Sequence, residues 1–133
     1  MIVVPAPAKE ADILKIVETW IELLAERNYE AACGLLMRGG DGQDWPPALV
    51  AEVLDGYAKL EGRGRVTPVA GARVSDYRPY QEVDWWEDEK GAFAGDVHYS
   101  VPFEGVWSDV TAMFDIRRVP GGFALELDDI HVL

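Results

Sequence analysis

The sequence predicts an α+β domain in which three N-terminal helices lie on a curved, mainly antiparallel sheet. Two observations carry this expectation. Apolar residues recur at helical spacing as far as Gly62 and Gly64, and at alternating spacing from Arg65 onward. All helical segments also precede the strand segments, which is the order of an α+β fold rather than an α/β fold. The length of 133 residues fits a single domain, residues 1–133. A chain of this size buries roughly two thirds of its unfolded surface and needs no metal or disulfide to fold.

The first helix is expected over residues 9–27, because Ile13, Ile16, Val17, Trp20, Ile21 and Leu24 form one apolar stripe. Asn28 suits the N-cap of a second helix, residues 29–37, ended by Gly39-Gly40. A loop over residues 39–44 follows. Asp44-Trp45-Pro46-Pro47 reads as the start of a third helix, where a missing proline N–H costs little. Leu49, Val50, Val53, Leu54 and Tyr57 supply its inner face.

Residues 66–74 suggest one or two short strands interrupted by Pro68 and Gly71. Val97, Tyr99, Val101 and Phe103 alternate with polar positions, as in a half-buried strand. After a turn at Glu104-Gly105 comes a strand over residues 106–118. Val110, Ala112, Phe114 and Ile116 face one way on it; Trp107, Asp109, Thr111, Met113 and Asp115 face the other. Pro120-Gly121-Gly122 signals a hairpin, and a last strand covers residues 123–133. Its apolar parity flips between Leu127 and Ile130, which predicts a bulge at Asp128-Asp129 and a bent sheet.

Apolar residues make up 49% and charged residues 27%, which excludes bulk disorder. Twelve basic against 24 acidic residues leave a net charge of −12. That balance disfavours nucleic acid and anionic membranes, which need clustered positive charge. No run of about 18 apolar residues occurs, and residues 1–8 lack the basic start of a signal peptide. The single Cys33 allows no intrachain disulfide and reads as buried packing. A cytoplasmic protein is expected.

Trp20 to Cys33, with a long helix, a polar break and the short "NYEAAC" helix, resembles the opening of the NTF2-like (SnoaL-like) superfamily. The resemblance implies a cone-shaped α+β fold. The C-terminal "HYSVPFEGVWSDVTAMFDIRRVPGGFALELDDIHVL" resembles the end of a bacterial domain family of unknown function. It rests on "VPF", "SDVTAMFDI" and "LDDIHVL" and covers about a quarter of the chain. Relatives of the NTF2-like class pair through the sheet face turned from the helices, which implies a homodimer. Trp107 and Met113 as apolar groups on that face would favour such pairing.

Three sets of residues are candidates for a site. Between residues 79 and 116 there are nine acids against Lys90 alone. Embedded there, Asp84-Trp85-Trp86-Glu87 sets two tryptophans among carboxylates. Successive strand side chains alternate, so Trp85 and Trp86 cannot both point into the core. A basic protein partner would be anchored by the exposed aromatic and steered by the acids. Trp85, Trp86, Asp84, Glu87 and Trp107 are the binding candidates, set against the reading of the segment as a solvated loop. Second, the NTF2-like resemblance implies an acid–base pair in an apolar cavity for a lyase or isomerase, with Asp109 as base and Tyr99 or His131 as partner. A pocket lined by Trp20, Tyr57 and Trp107 would instead hold a small apolar ligand without chemistry. Third, Asp96 with His98, and Asp128 and Asp129 with His131, offer N and O donors. Without a recognised ligand spacing, capping of turns and strand ends is preferred there, and neither metal nor cofactor is expected. A non-enzymatic binding module, immunity-type or regulatory, is the favoured function.

Overall fold

The computed structural model of the chain describes residues 1–38, 44–60 and 62–132. The apolar stripe becomes helix α1, Glu10–Ala25, and its six buried residues are the six the sequence singles out. Asp12 returns a carboxylate oxygen to the Lys9 N–H at 3.0 Å, which caps the first turn. At the other end Arg27 adopts φ 60°, and Asn28 N–H donates to Leu23 O at 2.9 Å. Asn28 then caps α2, Tyr29–Gly34, with its side-chain oxygen accepting from Ala31 N–H at 3.3 Å.

Helix α2 ends before the expected Met37. Met37 N–H donates to Leu125 O at 2.7 Å, so the sheet takes this residue from the helix. The expected helix end at Gly39-Gly40 and the loop over residues 39–44 lie, apart from Asp44, outside the described residues. Pro47 is the first residue of α3, Pro47–Leu60, which buries Val50 and Leu54. Among the described residues no helix is long and apolar enough to cross a membrane.

Among the described residues three helices pack against a curled five-stranded antiparallel sheet. The strands are β1 (Val4–Pro5), β2 (Gln81–Trp85), β3 (Phe93–Phe103), β4 (Val106–Val119) and β5 (Gly122–Val132). Their order is β1-β5-β4-β3-β2. Val97, Tyr99, Val110, Ala112, Phe114 and Ile116 turn toward the helices and are at most 1% exposed. Trp20 of α1 meets Phe114 edge-on, with ring centroids 5.1 Å apart. Each valine, isoleucine and phenylalanine of this row contributes roughly 1.5–3 kcal/mol by leaving water. Cys33 is buried too, its thiol near Trp45 O at 3.6 Å, and burial pushes that thiol's pKa up.

The pairs Met113–Asp129 and Phe114–Leu127 leave Asp128 extra, which is the bulge that the parity flip predicts. Other expectations need correction. Residues 66–74 form two isolated bridges, Val66 to Phe103 and Arg73 to Val106, rather than strands. Pro68 and Gly71 prevent a longer ladder. The acidic segment is no loop at residues 81–85 but the edge strand β2. β3 begins at Phe93, four residues before the visible alternation, because a register shift at Gly95 hides its first half. A Cβ at Gly95 would run into the Asp84 carbonyl oxygen, and one at Gly122 into that of Val4. Glycine at these two points lets both edge strands approach.

Trp107 also departs from expectation. It is buried at 7% exposure, its ring 6.0 Å from that of Tyr99. The β3–β4 ladder is interrupted there, with two extra residues of β4 between the pairs Ser100–Thr111 and Pro102–Trp107.

Candidate functional site

The sheet face turned from the helices carries an unusual row. Asp84 pairs in register with Asp96, Asp96 with Asp115, and Asp115 with Glu126. Directly opposed side chains in antiparallel pairs share a face with Cβ atoms about 5 Å apart. Four carboxylates therefore line up across β2, β3, β4 and β5. Like charges in that relation destabilise a sheet.

One cation answers them within the sheet. Arg117 Nη1 lies 3.3 Å from Glu126 Oε1, and its guanidinium sits 4.4 Å over the Phe93 ring. Trp86 stacks on the same Phe93, with centroids 6.1 Å apart, and its indole N–H donates to Asp96 Oδ2 at 2.8 Å. Asp96 Oδ1 and Glu126 Oε2 are buried and accept no hydrogen bond among the described residues. His98 Nδ1 stands 3.5 Å from Asp96 Oδ1 in ion-pair range without hydrogen-bond alignment. Burial first, and then the charges of Asp128, Glu126 and Asp96, push Asp115 up to about 6 against the pull of Arg117.

The two tryptophans point to opposite faces, as alternation requires, and both are exposed, at 43% and 41%. Trp85 rests edge-on against Phe123 on the helix side, with centroids 5.6 Å apart. Trp86 belongs to the outer row. Glu87 Oε1 accepts from Arg118 Nη2 at 2.8 Å, away from that row. Of the predicted binding residues the structure thus brings Asp84 and Trp86 together on one face, and takes Trp107 into the core.

The acid–base candidates are dispersed. Asp109 Oδ1 accepts from Arg63 Nη2 at 2.7 Å, and the Arg63 side chain is only 10% exposed. Both line an open groove of about 380 Å³ with Tyr77 and Trp107. Tyr99 is fully buried; its hydroxyl accepts from Gln81 Nε2 at 3.1 Å, and burial chiefly pushes it up to about 12. His131 pairs in register with Thr111, next to Ala112 of the inner row, so it faces outward, opposite to Tyr99. Its Nδ1 lies 2.6 Å from Asp129 Oδ2. Strand β4 separates the Asp96–His98 pair from the Asp129–His131 pair. No group of three such side chains among the described residues is arranged to hold a metal. Trp20 is fully buried, and Tyr57 donates to Ile130 O at 3.3 Å.

Sequence reasoning missed Asp96, Asp115 and Glu126 as one group. Their outward parity is legible, but their alignment depends on the strand register. Comparison with protein-family models finds no match, and comparisons with curated proteins and with solved structures find none either.

Proposed function

We propose that this chain is a non-enzymatic binding module of the NTF2-like class, immunity-type or regulatory, that takes a basic protein partner on its outer sheet face. The row Asp84, Asp96, Asp115 and Glu126, ending at the exposed Trp86, carries the reading. Holding like charges in register lowers stability, and carboxyls with raised proton affinity cluster at functional sites. Lysine or arginine side chains would meet the row at its exposed end, the Asp84 carboxylate beside Trp86. Trp86 would anchor the contact, and the net charge of −12 would steer encounter. Two copies of this face would set carboxylates against carboxylates, so the reading does not include the homodimer expected from the sequence. An acid–base function of Asp109 with Tyr99 or His131 would need Asp109 free of Arg63 and within reach of one of those two.

Recovery of partners from the native host tests the reading, using wild type, Trp86→Ala and the double variant Asp96→Asn/Asp115→Asn. A basic protein recovered by wild type and lost by both variants is expected. The same proteins recovered by all three would refute it.

A further inference from the structure

The two edges of the sheet are finished differently. Beyond the two-residue β1, β5 is the edge, and there Leu125 O accepts from Met37 N–H, Asp128 O from Trp45 Nε1 and Ile130 O from Tyr57 OH. That edge is stoppered. At the other edge, Tyr80 O accepts from Ser100 N–H at 2.9 Å, and Trp86 N–H donates to Ala94 O at 3.0 Å. Backbone orientation alternates along an antiparallel strand. With Tyr80 and Trp86 turned to β3, the intervening Gln81, Val83 and Trp85 turn their N–H and C=O groups away from the sheet. Outside the β2–β3 ladder no backbone group among the described residues bonds to them. Every residue of β2 except Val83 is exposed.

We propose that the β2 edge accepts one further strand, an extended basic segment of the partner, hydrogen-bonded to the backbone of Gln81, Val83 and Trp85. The inference rests on the proposed basic partner and specifies how that partner docks. Charge selects the occupant. Residues of an added strand that share the outer face would lie opposite Glu82, Asp84 and Trp86, where lysine or arginine fits. The alternate residues would lie over Val83 and Trp85, where apolar or small groups fit. A second copy of this chain is the wrong occupant. Antiparallel pairing centred on Val83 would set Glu82 of each copy against Asp84 of the other, between chains of net charge −12. Unpaired edges recruit strands in this way, and acidic side chains restrict which strands they recruit.

The probe is a peptide of about ten residues that alternates lysine with threonine, together with two versions N-methylated at every lysine or at every threonine. Binding of the unmodified peptide is expected to slow amide exchange at Gln81, Val83 and Trp85. One methylated version, the one deprived of the inward N–H groups, is expected to bind at least about tenfold more weakly. Val83→Pro removes an outward donor while leaving the bonds to β3, and is expected to weaken the unmodified peptide similarly. If that variant does not fold, the methylated peptides decide alone. Equal binding of all three peptides with unchanged exchange would overturn strand addition and leave the charged face standing. No binding of any peptide would overturn strand addition as well, while partner recovery judges the face separately.

Discussion

Asp115→Asn removes a charge that the folded protein holds at a cost. The carboxyl moves from its ordinary 3.8 to about 6 on folding. At about 1.4 kcal/mol per tenfold change in proton affinity, the full cost is roughly 3 kcal/mol. The partly exposed setting screens this to roughly 1–2 kcal/mol. Because the folded value is raised, the penalty is fully present above about pH 6 and vanishes below the unfolded value of 3.8. The asparagine variant is therefore expected to be more stable than wild type at pH 7.5. For a chain of this size the midpoint would rise by roughly 3–10 °C. The advantage should shrink on acidification and be nearly gone at about pH 4. Thermal and urea unfolding at both pH values measure it, and the same variant should bind a basic peptide less well. A variant less stable than wild type at pH 7.5, or an advantage that grows toward acid, would refute the reasoning.

Other outcomes are expected from the same geometry. Tyr99→Phe removes the bond from Gln81 Nε2 and should cost about 1 kcal/mol in urea unfolding, while ultraviolet titration of wild type should show one tyrosine ionising only near pH 12. Gly95→Ala drives a Cβ into the Asp84 carbonyl, so hydrogen exchange should show β2 amides losing protection before those of β4. Arg63→Ala leaves Asp109 without its 2.7 Å partner and should cost about 1–3 kcal/mol, with binding of a basic peptide unchanged. Reduced peptide binding by that variant would place the site in the groove instead.

What was legible in the sequence was whatever a local period dictates. The stripe of α1 from Ile13 to Leu24, the inward row Val110 to Ile116, and the bulge at Asp128 all follow from spacing within one element. Opposite facing of Trp85 and Trp86 followed from alternation alone. The edge strand β2 was hidden because its charges read as a solvated loop, although acids on an edge are how sheets resist aggregation. The burial of Trp107 depends on its packing against Tyr99, which no local pattern reveals. The carboxylate row needed the register of four strands, set by bulges at Gly95 and Asp128 and by contacts distant in sequence. Asp109 looked available because Arg63, 46 positions away, lies in a different segment.

The central claim is that the outer sheet face, and not the groove around Asp109, receives a basic partner. The most direct measurement is a titration of the protein's amide and indole NMR signals with the lysine–threonine peptide. The largest shifts are expected at the amides of residues 81–86, at Asp96 and at the Trp86 indole N–H, diminishing as salt is added. Shifts centred on Arg63, Tyr77 and Asp109, with the Trp86 indole unmoved, would contradict it.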